Sequence, residues 1–287
     1  MTIAPPTASV SGQAGLDTEK LFNRVALGTV IAFALLWLAP LAWALATSVR
    51  SNADIANDPT AWFSKPTLSA YTQLLKAGNL PRWYLNSAIT STLTTVLTVG
   101  LGSMAGFALS RMRFRGRGAL TALIVAGVMI PPQALMIPQY REVAATGLLG
   151  SYWAVTLPQV PNVIAVIVFK QFFDGLPIEL IEAARMDGAS WPRIYRQICM
   201  PLSKPAVSAV TIFSFVWAWN NFLWPLLATT SADMMTLPVG LGTVQDTYGI
   251  NYAQMMASAV LGGLPLLFVF LLFQRRIVEG IAGTGIK

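Results

Sequence analysis

The side chains best suited to chemistry or to binding lie in one charge-rich segment, residues 174–205, between two long uncharged stretches. Its sequence is DGLPIELIEAARMDGASWPRIYRQICMPLSKP. Its carboxylates and guanidinium groups are suited to binding a charged partner. The whole chain has no histidine and a single cysteine, Cys199. The commonest catalytic base, a disulfide framework and a cysteine-based metal site are therefore excluded.

Two short helices joined by a glycine hinge are predicted for this segment. Pro177 suits the first turn of a helix, where a missing backbone N–H costs nothing. Glu179 and Glu182 favour the positive end of the helix dipole. Gly188 should end this helix, because a left-handed residue carries no steric penalty when it is glycine.

The second helix has one apolar face. Ser190 is predicted to cap its start, and Pro201 and Pro205 to stop it. Apolar residues recur along it at helical spacing, at Trp191, Ile194, Tyr195 and Ile198. A helix–glycine–helix arm with an apolar face and a charged face is suited to docking against a partner. A hairpin that only connects two membrane spans along the bilayer surface has the same pattern.

The rest of the chain has the composition of a membrane protein. It is 55% hydrophobic and 11% charged, with a mean hydropathy of +0.59, whereas soluble domains carry about 25% charged residues. No phosphate-binding Gly-x-x-x-x-Gly-Lys-Ser/Thr loop, zinc-type spacing or Gly-x-Ser-x-Gly elbow occurs. We therefore expect no catalytic residues, no metal site and no cofactor in this chain.

An all-α fold with six transmembrane helices is predicted from the uncharged runs, each long enough to cross about 30 Å of hydrocarbon. An unstructured tail, 1–24, precedes a first span at 25–49, which Pro40 should kink, and a loop at 50–84. A five-helix core, 85–274, and a tail, 275–287, follow. The five core spans are predicted at about 85–110, 118–140, 151–170, 205–229 and 252–274.

The distribution of basic residues predicts the orientation. Six spans place both termini and the 174–205 arm on one side, and the other side holds five of the 19 lysines and arginines: Arg50, Lys65, Lys76, Arg82 and Arg141. The positive-inside rule makes the richer side cytoplasmic and the 50–84 loop extracytoplasmic. The same rule accounts for the net charge of +7, which otherwise suggests nucleic-acid binding.

The arm resembles the EAA loop of ABC-importer permeases, most closely in the maltose and glycerol-3-phosphate type of carbohydrate importers. The matching residues are Glu182-Ala183-Ala184, Asp187-Gly188-Ala189, Ile198, Pro201-Leu202 and Pro205. Cys199-Met200 departs from the pattern, since an aliphatic residue usually stands there. Segments at 65–71 and 85–87 and the run Trp-Asn-Asn-Phe-x-x-Pro-Leu, which starts at Trp219, also resemble this family of binding-protein-dependent inner-membrane components.

The resemblance implies a type I importer permease in the cell inner membrane whose arm is a cytoplasmic coupling helix. The family's pattern implies that an ATP-hydrolysing subunit docks on Glu182, Ala183, Ala184, Asp187, Gly188 and Ala189. Expected partners are a second permease, two ATP-binding subunits that carry ATP and Mg²⁺, and an extracytoplasmic solute-binding protein. In the family, the loop between the last two spans faces that protein, a role that would fall to Asp233–Asp246.

A neutral sugar is the expected substrate. Trp217, Asn220 and Asn221 combine aromatic faces with amides, which stack on sugar C–H groups and pair with hydroxyls. Tryptophans near a span end also form interfacial belts. The predicted spans hold no ionisable residue in their interiors, which disfavours a proton-driven carrier. Two alternatives remain: a related permease for a polyol, glycerophosphodiester or amino acid, and a non-transporting membrane scaffold.

Overall fold

Helices account for all of the regular structure in the described part of the chain, residues 11–62, 65–77, 79–243 and 251–282 of a computed structural model. Short 3₁₀ turns and one π-helical turn interrupt them. The helices in chain order are α1 (Ser11–Ser48), α2 (Asn52–Asn57), α3 (Ser69–Ala77), α4 (Leu80–Arg111), α5 (Arg117–Ala126), α6 (Pro132–Ala145), α7 (Tyr152–Thr156), α8 (Val163–Asp174), α9 (Ile178–Met186), α10 (Trp191–Ile194), α11 (Met200–Leu202), α12 (Lys204–Trp219), α13 (Leu223–Ala228), α14 (Leu237–Thr243) and α15 (Tyr252–Ala282).

The polar N-terminal tail departs from the sequence prediction. Helix α1 begins at Ser11, so the prediction of an unstructured tail is wrong for residues 11–24, and residues 1–10 lie outside the described part. Extending an existing helix by one residue costs far less than nucleating one, so the apolar helix can propagate back into the tail. The helix also continues through Pro40.

The chain divides into two compact units, residues 1–71 with 251–260 and residues 72–250 with 261–287. In the first unit, the side chain of Arg50 is buried, at 2% exposed. Its guanidinium donates hydrogen bonds to the carbonyl oxygens of Ala61, Asp54 and Asp58, at 2.6, 3.1 and 2.8 Å. Because one cation binds three carbonyls, it holds residues 50–61 together.

Several of the apolar segments are bent rather than straight. Within the described residues, three helices are each long and apolar enough to cross a membrane, and the number rises to six if each of three bent pairs forms one span. The pairs are α5 with α6, bent by 102°, α7 with α8, bent by 50°, and 191–202 with α12, bent by 80°. The bounds of the individual spans therefore stay predictions.

Helix α4 lies at the centre of the second unit, where it packs closely against α8. A β-carbon added at Gly106 would lie 2.7 Å from Cβ of Phe169 and 2.8 Å from the backbone nitrogen of Lys170. Only a glycine permits this approach, as expected for small residues between helices in lipid. The hydroxyl of Thr98 donates to the carbonyl of Val160 at 3.2 Å, which satisfies a backbone group at the break between α7 and α8.

Candidate functional site

The first helix of the 174–205 arm is α9, and a glycine turn ends it as predicted. Gly188 has φ of +77°, a conformation that only glycine adopts without a steric penalty. Its backbone N–H donates to Arg185 O at 3.1 Å, and that of Ala189 donates to Ala184 O at 2.9 Å. These two bonds form a Schellman motif, which satisfies the last carbonyl groups of the helix. The direction of the chain after Gly188 is thereby fixed.

The six residues predicted to meet a partner divide between surface and core. Glu182, Ala183, Asp187 and Gly188 are exposed, Ala184 is half-buried, and Ala189 is buried. The sequence prediction missed Met186, which is 88% exposed and projects from the last turn of α9. An apolar side chain so exposed beside two carboxylates makes a compact docking surface with charge at its edge. We call Glu182, Ala183, Met186, Asp187 and Gly188 the arm tip.

The second helix of the arm differs from its prediction at both ends. Ser190 occupies the N-cap position of α10, but its side chain makes no capping hydrogen bond. The prediction that Pro201 stops the helix is wrong, because a π-helical turn at Tyr195–Cys199 carries the chain into α11. In this turn the N–H of Met200 donates to Tyr195 O, five residues back. The wider register accommodates Pro201, which has no N–H of its own.

The base of the arm packs on the C-terminal half of α4. The ring of Phe107 lies 5.8 Å from Phe173, 6.1 Å from Trp191 and 5.3 Å from Tyr195, between ring centroids. The hydroxyls of Ser103 and Tyr195 share a hydrogen bond of 2.7 Å. Buried aromatic contacts of this kind are worth more than their area alone. The arm is thus fixed to α4 rather than suspended on flexible linkers.

Two arginines absent from the predicted site also hold the arm. Arg111, at the end of α4, donates through Nη2 to the carbonyls of Phe173 and Leu176, the latter at 2.6 Å. Arg185 donates to the carbonyl of Ala189 at 3.0 Å, and its guanidinium lies 5.0 Å from the centre of the Trp191 ring. Both contacts stabilise turns by placing a cation on carbonyl groups at a helix end. Arg185 lies in the last turn of α9, a position from which its role could have been predicted. Arg111 instead ends α4 and bonds carbonyls at the end of α8, which no local pattern predicts.

The residues predicted to contact a substrate lie together at the end of α12. Trp217 is 54% exposed, and its ring stacks with that of Phe213 at 6.2 Å. Asn220 is exposed, and its amide bonds the carbonyl of Val216 in its own helix. Asn221 is half-buried and donates through Nδ2 to Oε1 of Gln159 at 2.8 Å. Asn221 therefore joins the break after α12 to the break between α7 and α8.

The structure combines a helical bundle of apolar, partly broken helices with one arm whose base is buried and whose tip is exposed. Residues 98–283 match the model of the binding-protein-dependent transport system inner membrane component family. The chain belongs to this family. The prediction of an importer permease, a transporter subunit rather than an enzyme, is confirmed.

Individual proteins resemble the chain over nearly its full length. The arabinooligosaccharides transport system permease protein AraQ of Bacillus subtilis is 34% identical over 88% of this chain and 92% of its own length. The trehalose/maltose transport system permease protein MalG of Thermococcus litoralis is 31% identical, over 94% and 99%. A bacterial ABC transporter involved in the import of the acidic polysaccharide alginate contains a chain of similar fold, with a TM-score of 0.77 and 22% identity, covering 94% and 99%.

Proposed function

We propose that this chain is a membrane-spanning permease subunit of an ATP-driven sugar importer, which moves its substrate by alternating access. The observation that carries the proposal is the arm tip, which is exposed on a turn whose base is buried against α4. A rigidly held, exposed turn can pass on a displacement that a partner imposes on it. The sugar class is supported by relatives named for oligosaccharide transport.

The proposed assembly contains this chain, a second permease, two ATP-binding subunits and an extracytoplasmic solute-binding protein. ATP and Mg²⁺ are bound by the ATP-binding subunits, and the chain contributes the arm that they move. Six spans with both termini in the cytoplasm would place the arm on the side where ATP is hydrolysed. Closure of the ATP-binding subunits would rotate the bundle and expose its cavity to one side or the other.

Reconstitution into proteoliposomes tests this function. The complete complex, supplied with ATP and a solute-binding protein, is assayed for uptake of arabinotriose, maltose, trehalose and glycerol 3-phosphate. We expect ATP-dependent uptake of one of the saccharides. Fastest uptake of glycerol 3-phosphate would assign the chain to another polar solute. A complex that moves none of them and shows no ATPase stimulation by any binding protein would support the membrane scaffold instead.

Reversing one charge of the arm tip should uncouple the transporter. We expect Glu182→Lys to lower uptake by at least about tenfold, because an unmatched charge at a docking interface costs several kcal/mol. Membrane insertion should be unchanged, since Glu182 is exposed. Glu179→Lys is the matched control, because Glu179 is also an exposed glutamate of α9 but lies outside the arm tip. Equal losses in the two variants would contradict a specific role for Glu182.

Removing the Asn221 side chain should alter transport without altering assembly. Asn221→Ala deletes the hydrogen bond to Gln159 and leaves the side-chain oxygen of Gln159, Oε1, without this donor. Losing one partner of such a bond costs about 1 kcal/mol, which predicts a change of roughly fivefold in the uptake rate or apparent affinity. Uptake is measured over a range of substrate concentrations, and co-purification of the subunits reports assembly. Wild-type kinetics would remove Asn221 from the substrate pathway.

A further inference from the structure

A group of hydrogen bonds at the N-terminal end of α4 is unused by the proposed site. Asn86 is fully buried, at 0% exposed. Its Nδ2 group donates to the carbonyls of Asp233 and Met235, at 2.7 and 2.8 Å, and its Oδ1 atom accepts from the hydroxyl of Tyr152 at 2.9 Å. Both amide protons and the amide oxygen are therefore engaged, and one side chain connects α4 to two other parts of the chain.

Neighbouring residues bond the same segment to α4. The indole N–H of Trp83 donates to Ala232 O at 2.9 Å, and the hydroxyl of Ser87 accepts from the N–H of Leu237 at 2.7 Å. The side-chain amide of Asn79 donates to the Asp233 carboxylate at 2.6 Å. Residues 232–237, which we call the outer segment, are thus held at the start of α4 through backbone groups and the Asp233 carboxylate. A loop held in this way moves with the helix that binds it.

The other end of the same helix holds the arm. Helix α4 is continuous from Leu80 to Arg111, and its residues Ser103, Phe107 and Arg111 contact the arm. Asn86 and Ser103 are 17 positions apart, which is about 25 Å along an α-helix at its usual rise per residue. No proline interrupts α4 after its first turn. One stiff element therefore connects the outer segment to the arm.

We propose that Asn86 is a positioning residue through which α4 links the outer segment to the arm. The proposal rests on the proposed function and on the family resemblance, which implies that residues 233–246 face the solute-binding protein. Contact of that protein with the outer segment displaces α4 along its length, and the arm carries the displacement to the ATP-binding subunits. Coupling between two sites requires an element that both of them displace, and α4 is bonded to both.

The test compares basal ATPase activity with activity stimulated by the binding protein. It uses the complete complex and a binding protein saturated with whichever of arabinotriose, maltose and trehalose is taken up fastest. Asn86→Asp keeps the side-chain size and the Oδ1 acceptor for Tyr152. It replaces the Nδ2 group, which donates to Asp233 and Met235, with an oxygen that cannot donate when the carboxyl is ionised. We expect the ratio of stimulated to basal activity to fall by about fivefold or more, the range of measured site–site couplings. Basal activity should persist, and Asn23→Asp, the same change at an exposed position, should keep the wild-type ratio.

A covalent link between the start of α4 and the outer segment gives an independent test, which does not depend on how Asn86→Asp folds. Asn79→Cys with Asp233→Cys places thiols where two exposed side chains now bond, and a short bismaleimide joins them in the assembled complex. Because the outer segment and α4 move together, the linked complex should retain stimulation. Loss of stimulation on linking, or a wild-type ratio in Asn86→Asp, would overturn the inference. If the wild-type complex itself shows no stimulation, the proposed function fails instead.

Discussion

Replacing Gly188 with proline should abolish uptake while leaving the chain in the membrane. Proline fixes φ near −65°, whereas Gly188 has φ of +77°. The substitution also removes the N–H that donates to Arg185 O. These changes cost about 3 kcal/mol or more at the turn, which corresponds to a fall in uptake of more than about a hundredfold. Uptake into whole cells and the amount of chain in the membrane fraction are measured together.

Asparagine at the same position is the matched control. Asn tolerates the left-handed conformation better than other side chains, so Gly188→Asn should keep most of the uptake. A β-carbon at this position meets no other atom within 4 Å, so side-chain volume alone is no obstacle. Normal uptake by Gly188→Pro would remove the coupling role of the turn. Equal loss in both variants would point to a direct contact at Gly188 rather than to the backbone conformation.

Adding one methyl group at Gly106 should weaken the bundle, whereas the same change six residues earlier should not. The new β-carbon of Gly106→Ala would lie 2.7 Å from Phe169 Cβ and 2.8 Å from the Lys170 backbone. Relieving this overlap requires α8 to shift, at a cost of about 2 kcal/mol. At Gly100, in the same helix, a β-carbon meets nothing within 4 Å. Gly100→Ala should therefore be neutral or stabilising by up to about 1 kcal/mol.

Thermal melting of the detergent-solubilised complex measures this difference. Gly106→Ala should lower the midpoint and Gly100→Ala should leave it unchanged or raise it. The sign of the difference between the variants matters more than its size, because both changes add the same group to the same helix. Identical midpoints in the two variants would contradict the close approach of α4 and α8. The same result would also weaken the case that α4 transmits motion, since α8 leads directly into the arm.

The local geometry of the arm follows from its sequence. A glycine after a helical run predicts the turn at Gly188, and the proline at 177 stands at the start of α9, where it occupies the N-cap position. The failure at Pro201 has a specific cause. A proline predicts the loss of one N–H, but the π-helical turn that accommodates it begins at Tyr195, which packs on Phe107 and bonds Ser103. Such packing joins residues about 90 positions apart, which no local pattern predicts.

The connections of α4 are hidden from sequence reasoning for the same reason. Small and hydroxyl residues predict that α4 lies inside the bundle, and its buried Thr and Ser residues agree with this. Nothing in the sequence pairs Asn86 with carbonyl groups 147 and 149 positions away. The loop predicted from Asp233 contains α14, while 244–250 lies outside the described part. The apolar residues of this loop, among them the buried Leu237 and Val239, could have predicted a packed helix there.

Photo-crosslinking from position 186 tests the central claim, that the arm tip is where an ATP-binding subunit docks. Met186 is 88% exposed, so p-benzoylphenylalanine can replace it without entering the core. Irradiation of membranes containing the whole complex should give one adduct of this chain with the ATP-binding subunit. Adding vanadate with ATP, to trap the ATP-binding subunits closed, should change its yield. An adduct with the solute-binding protein, or with lipid alone, would contradict the account.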